Sequence, residues 1–530
     1  MPAATAVVRA DAADRSDRVA APRHDAAAGR GRAAGGPAAL ASIAAGALYF
    51  LGYLGWGAWP CLFFFLAVLW WALAQATRPR RAAGLGFLFG VSAFAGGHLW
   101  LLALIGPFLD GRWAVGVALW LAYGVWFALA FAAYGIAFHA LRRRGCGIAV
   151  AGIAPWVVLE WLQPQIFPLY AGGGLVAVPL LAASADLGGP LLLSALLAGA
   201  NLVVLKTAAW LAGHRSRPLA AWAAGVVGAI VIAGYGAART AEVDAASARS
   251  PAIRVGVVQA NLDVRAKETL GILTHRTHLA QTRRLLDEGD VDLVVWPESA
   301  YLRGIRGPLP VSSRPIVHDL PVPLLFGASS TTEVDGRKVK SNSALLAGED
   351  GMIRDAYDKN LLIPLAESLP FTDAIPALAA IFPHAEEFAA ASTVGALGFG
   401  PWRIATPICY EAVRPDLVRR MVRESAPHLF VTLANDAWFG DSQEPWIHLG
   451  LARLRAIEHR RWLVRATNSG VSAIVDPAGR LVDRTGVLTR ENLRGTVHPL
   501  AGMTLYAQLG DWPGWLALMV VALALVRRRP

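Results

Sequence analysis

Eight long apolar runs constrain this chain more than any motif it carries. They lie at Ala38–Leu54, Trp59–Ala76, Ala83–Leu104, Trp113–Leu141, Gly147–Leu162, Pro190–Ala212, Leu219–Gly236 and Trp512–Val526. Most come close to the roughly 20 residues that carry a helix across a hydrocarbon core. None alternates polar with apolar residues. Helices are therefore predicted, because only helices and closed barrels pair every backbone N–H and C=O inside lipid. A chain that is 55% hydrophobic and 16% charged fits a polytopic α-helical membrane domain of about eight spans.

The loops between the runs alternate in charge. Arg78, Arg80 and Arg81 follow the second run, Arg142, Arg143 and Arg144 the fourth, and Lys206, Arg215 and Arg217 flank the turn from sixth to seventh. Arg527, Arg528 and Arg529 end the chain, while loops such as GYLGWGAW and IGPFLDGRW carry almost no positive charge. Positive loops stay on the cytoplasmic side, so a cytoplasmic N-terminus places residues 240–508 across the membrane and the eighth span returns the C-terminus. The same arginines account for the net charge of +11, which a nucleic-acid surface would otherwise explain. Residues 1–36 show no apolar period and read as a disordered tail, not a signal peptide. Cys61, Cys146 and Cys409 are the only cysteines, too few and too unevenly placed for a disulfide framework or a metal-type CxxC.

Residues 252–500 change character. Short β-rich runs appear (IRVGVVQ, VDLVVWP, VPLLFG, WRIATPICY, HLFVTLA, WLVRATN, VSAIVD), separated by polar or helical segments. Pro445–Arg461 has Ile447, Leu451, Leu454 and Ile457 near a helical period. The predicted organisation is a tail over 1–36, a seven-span domain over 37–240, an α/β domain over 241–508, and a last span with a basic end over 509–530. About 250 residues suffice for an independent core.

Three segments of the α/β domain end on reactive side chains. VDLVVWP runs into Glu298, DAYDK ends on Lys359, and WRIATPI leads to Cys409. A thiol attacks acyl groups only when a neighbour takes its proton or steadies its thiolate. A carboxylate can be that base, and an ammonium can stabilise both thiolate and oxyanion. Taken singly, each has a plainer reading: a core cysteine, a turn glutamate, a surface lysine.

Their order and context weigh more. VVWPES, YDKNLLIP and PICYE, together with LANDAWFGDS and HLGLARLRAIEHRRWLVRATNSGVSAIVDPAG, resemble the nitrilase (carbon–nitrogen hydrolase) superfamily. Within it, the layout of spans resembles the bacterial apolipoprotein N-acyltransferase branch. The resemblance implies a nitrilase-like α-β-β-α sandwich with Glu298 as general base, Lys359 as oxyanion-stabilising cation and Cys409 as acyl acceptor. It further implies that Glu367 orients the lysine, that Tyr410 and Glu411 shape the oxyanion pocket, and that Asn435–Gly440, with Asn435 and Trp438, line its other side. Gln259 and Asn261 match the opening strand, and Lys267 a basic position. Ala260, Glu268 and Ala366 depart from the family pattern, as does the loop IFPLYAGGGLVAVPLL.

The implied reaction moves a fatty acyl chain from a membrane phospholipid to the α-amino group of an S-diacylglyceryl cysteine on an apolipoprotein, through a thioester. A bacterial inner-membrane enzyme with its catalytic domain outside the cytoplasm is expected, with no cofactor, no metal and no nucleic-acid partner. Two alternatives stay open: a membrane-tethered amidase acting on a small amide, and a non-catalytic scaffold. The apolar segment Ala374–Phe388 is expected to be either a mobile lid or an ordinary surface helix. Glu160 reads as an interfacial, snorkelling carboxylate, and His98 and His139 as packed or interfacial residues.

Overall fold

The computed structural model describes residues 35–214, 216–263, 267–307, 320–334, 336–369, 372, 374–385 and 387–526. Most of the expected tail, Arg215 and the terminal arginines lie outside these residues.

The N-terminal half is helical. Among the described residues, three helices are long and apolar enough to cross a membrane: Trp113–Arg143, Ala185–Leu211 and Leu219–Arg249. Shorter apolar helices cover Gly36–Gly52, Trp59–Ala74, Ile148–Leu162 and Trp512–Val526. The predicted run Ala83–Leu104 divides into the helix Pro79–Gly97 and the 3-10 segment Leu99–Leu104. Within Ala185–Leu211, Gly188 and Gly189 leave helical geometry and Pro190 opens the straight part. A side chain on Gly189 (φ 64°) would strike the Tyr506 ring at 2.5 Å, so the break is also a packing contact.

Aromatic rings fill the centre of this half. Phe65 meets Trp156 at 5.4 Å between centroids and Phe89 meets Phe131 at 5.0 Å. Small residues let the backbones close in: a Cβ on Gly86 would lie 2.0 Å from the Phe131 carbonyl oxygen. His98 is buried and stacks on Phe94 at 4.6 Å. Glu160 does not snorkel. It is buried, and its Oε1 accepts from Trp156 Nε1 and from the Ala171 N–H, both at 2.8 Å. The loop after its helix folds back over it and supplies the donor, which a linear reading of that loop does not reveal.

The C-terminal half is two stacked sheets. Its strands are β1 Ile253–Gln259, β2 Leu293–Val295, β3 Tyr301–Arg306, β4 Leu324–Val334, β5 Arg337–Ala347, β6 Ile353–Asp358, β7 Leu397–Phe399, β8 Trp402–Ala405, β9 Leu429–Ala434, β10 Leu463–Thr467, β11 Ala473–Val475, β12 Leu481–Arg484 and β13 Glu491–Val497. One sheet runs β13-β1-β2-β4-β5-β6 with β3 on β4, and the other runs β12-β11-β10-β9-β8-β7. In the first, β1, β2 and β4 are parallel; in the second, β8, β9 and β10 are. Val255, Val257 and Val295 of the first sheet share a core with Val431, Leu433 and Val464 of the second. Val294, Trp296 and Phe326 face the other way, packing with Leu285 of the Lys267–Asp287 helix. Pro415–Ser425 and Glu444–His459 supply Val418 and Ala452 to the central core from the second sheet's side. This is the expected α-β-β-α sandwich. Strands buried on both faces read as continuous apolar runs, which is why they were visible in the sequence.

Candidate active site

The three candidate residues leave the sheets from separate strands and converge. After β2, Trp296 N–H bonds to the Leu325 carbonyl and Gly327 N–H to the Pro297 carbonyl, so the turn carrying Glu298 lies flat on β4. Only glycine fits at 327, since a Cβ there would sit 2.6 Å from Glu298 Cα. Lys359 follows β6 directly, and its N–H donates to the Asn342 carbonyl at 2.8 Å. Cys409 lies four residues beyond β8, just past a bridge between Ile408 and Leu433, with φ at 49°. A non-glycine residue there is strained and persists only where its surroundings hold it.

Lys359 is fully buried. Its Nζ donates to Glu367 Oε1 at 2.8 Å and to Glu298 Oε1 at 3.3 Å. Asn342 Nδ2 donates to the same two oxygens, at 3.0 and 2.8 Å, and so ties the carboxylates together. Burial alone would pull the ammonium down; the Glu298 and Glu367 charges outweigh it and raise its pKa. Burial, then Glu298, push the Cys409 thiol well up, with Lys359 opposing. The resting sulfur is therefore a thiol beside a carboxylate and an ammonium.

The neighbouring residues brace this arrangement. Glu411 accepts from the backbone N–H groups of Asn360 (2.6 Å), Ile408 (2.8 Å) and Leu361 (3.0 Å), and from the Tyr357 hydroxyl. It thus joins the Cys409 turn to the segment after Lys359. Burial raises its pKa to about 7. The Tyr410 hydroxyl donates to the Ile166 carbonyl of the helical half. Trp438 packs on Phe108 at 4.8 Å and Phe439 on Trp100 at 5.4 Å. Asn435 Oδ1 accepts from Asn468, whose Oδ1 and Nδ2 also hold the backbone of Leu262. Leu262, Thr274, Pro297, Glu298, Asn435 and Asn468 line a narrow pocket on the Glu298 side. Gln259 points away from the chemistry, locking β1 to Ser472, Thr485 and Gly486. The side chains of Lys267 and Glu268 lie outside the described residues.

Two participants escaped sequence reading. Asn342 stands in the polar strand RKVKSNSALLA, where nothing local distinguishes it from a surface residue. His448 sits in a quoted motif without a role; in the structure its Nε2 donates to the Cys409 carbonyl at 3.1 Å. His448, Asp436 and Glu444 form a metal-type cluster within 4.8 Å, yet the Arg465 guanidinium already occupies the Asp436 carboxylate at 2.7 Å.

A strand-end thiol, carboxylate and ammonium on an α-β-β-α sandwich, joined to apolar helices, define a membrane-anchored member of the nitrilase class. Residues 254–498 match the carbon–nitrogen hydrolase family and residues 45–203 the apolipoprotein N-acyltransferase N-terminal domain. An apolipoprotein N-acyltransferase of Azotobacter vinelandii is 33% identical across 93% of this chain and 96% of its own. One from Pseudomonas aeruginosa is 31% identical over 93% and 97%, and one from Geobacter metallireducens 29% over 92% and 95%. The chain belongs to the apolipoprotein N-acyltransferase family.

Proposed function

We propose that the protein transfers a fatty acyl chain from a membrane phospholipid to the α-amino group of a diacylglyceryl-cysteine apolipoprotein, with Glu298, Lys359 and Cys409 as the catalytic residues. The observation that carries this reading is the fully buried Lys359 ammonium between two carboxylates, in the same electrostatic cluster as the Cys409 thiol. Glu298 takes the Sγ proton, and the thiolate attacks the ester carbonyl of the donor. Lys359 and the Tyr410 N–H meet the oxyanion. The ester C–O bond breaks, and the lysolipid alcohol leaves with the proton held by Glu298. The acceptor amine then attacks the thioester, Glu298 receives its proton, and the C–S bond breaks to give amide and thiol.

Both substrates are lipids, and lifting an acyl chain out of a bilayer costs about 0.8 kcal/mol per methylene. A site fixed beside the helical half avoids that step. The basic loops support a position on the outer face of the bacterial inner membrane. Within the expected lid, Ala377–Ile381 forms a five-residue helix and Phe382 packs on Ile105 and Leu109. Arg112 donates to the Ala380 carbonyl at 2.8 Å. This segment is the cover that keeps water from the thioester.

The test is the mass of Cys409 after incubation with phospholipid, followed by a diacylated lipopeptide. A long-chain thioester that passes to the peptide amine is expected, and Cys409→Ala should abolish both steps. Release of free fatty acid without peptide acylation would favour an amidohydrolase. Peptide acylation by Cys409→Ala would remove the mechanism.

A further inference from the structure

A buried charged line leads to the nucleophile's backbone: Arg465, Asp436, His448, then the carbonyl of Cys409. Arg465 Nη2 donates to Asp436 Oδ2 at 2.7 Å, His448 Nδ1 lies 2.9 Å from Asp436 Oδ1, and His448 Nε2 lies 3.1 Å from the Cys409 oxygen. All three side chains are at most 2% exposed. A carbonyl oxygen only accepts, so Nε2 carries the proton of the bond to Cys409. Arg465 and His448 overcome the burial of Asp436 and hold its pKa low, which keeps it ionised. His448 therefore points an Nε2–H at the peptide bond that follows the nucleophile. Glu444 also faces it, with Oε1 at 3.6 Å from Nδ1.

The line is tightly built. A Cβ on Gly470 would fall 2.1 Å from Asp436 Oδ2, so the chain passes against that carboxylate with no room for a side chain. The group it holds belongs to a strained residue, Cys409 at φ 49°. A trans peptide is planar, with its C=O and N–H on opposite edges. Fixing the Cys409 carbonyl therefore fixes the Tyr410 N–H.

We propose that His448, held by Asp436 and Arg465, is a positioning residue for acyl transfer: it anchors the Cys409 carbonyl and thereby aims the Tyr410 N–H at the oxyanion. This inference rests on the proposed function, and its experiment separates the two. Full-length enzyme in mixed phospholipid micelles is compared as wild type, His448→Leu and His448→Gln. Two rates are read at Cys409 by mass: thioester formation from phospholipid, and alkylation by iodoacetamide. Alkylation uses the sulfur without an oxyanion.

Loss of one oxyanion donor slows catalysis about 100-fold or more, so His448→Leu should lose about that much acylation while alkylation and the KM for phospholipid stay within about threefold. Gln can still donate to the carbonyl, and His448→Gln should return to within about tenfold of wild type. Unchanged acylation in His448→Leu overturns the proposal. So does alkylation falling in step with acylation, which would place the effect on the thiolate or the fold, or a Gln variant no better than Leu. A wild type that forms no thioester at Cys409 sinks the functional reading instead.

Discussion

The two halves of the chain put their apolar side chains in opposite places. Along the Leu219–Arg249 helix, Val227 is 59% and Ile230 67% exposed, whereas in the sheets Val257, Val295 and Val464 are fully buried. The helical half is finished for a hydrocarbon solvent, which rewards outward apolar groups and internal satisfaction of polar ones. The sheet half is finished for water, and a dry interior there makes a fixed ammonium strong. Lys359 survives without solvent because Glu298 and Glu367 contact it directly.

Removing that ammonium should produce the largest effect. Lys359→Met keeps the stem and deletes the charge; thioester formation should fall by about 1,000-fold or more, since an oxyanion contact and thiolate support vanish together. Near-normal single-turnover acylation would mean that the buried charge serves folding alone. The next largest effect belongs to the lipid-facing surface. Val227→Arg should disfavour membrane insertion by about 3 kcal/mol, the usual figure for a charge near a helix centre, read as the inserted fraction in a membrane-integration assay.

A smaller effect separates the halves by pH. Glu458 is buried in the Glu444–His459 helix, and burial raises its pKa to about 8 from an ordinary 4.5, Arg455 opposing. The folded chain therefore keeps a proton that the unfolded chain releases. Stability is complete below about pH 4.5 and declines as pH rises toward 8. The thermal midpoint in detergent should drop by a few degrees from pH 5 to pH 8, and less in Glu458→Gln, which resembles the neutral acid. Equal slopes would show that this carboxyl ionises without penalty. The smallest effect is the control: Val482→Arg, at an exposed position of β12, should shift stability by no more than about 0.5 kcal/mol. If it matched Val227→Arg in size, the contrast between the two solvents would fail.

Much of this organisation was legible in the sequence because it has a period or a motif. The apolar runs announced the helices, and β1, β9 and β10 announced themselves as short stretches rich in Val, Leu and other β-forming residues. That Glu298, Lys359 and Cys409 would come together was legible through the words around them. What remained hidden depends on distant contacts. β5 reads as a polar strand over RKVKSN, so Asn342 gave no sign that it would bridge two carboxylates. Glu160 looked interfacial because the Ala171 N–H that binds it comes from a loop whose path no local pattern encodes. His448 needed the fold to bring the Cys409 turn within reach of the Glu444–His459 helix.

The bond from the Tyr410 hydroxyl to the Ile166 carbonyl has a consequence for kinetics. It rivets the residue beside the sulfur to the loop that follows the Ile148–Leu162 helix, so on the proposed function the reactive atom would keep a constant altitude over the bilayer. With the membrane-lipid donor proposed above, encounter would then happen in two dimensions. Dilution of the surrounding buffer should leave turnover unaffected, while dilution of donor lipid within the plane of the membrane should slow it in proportion.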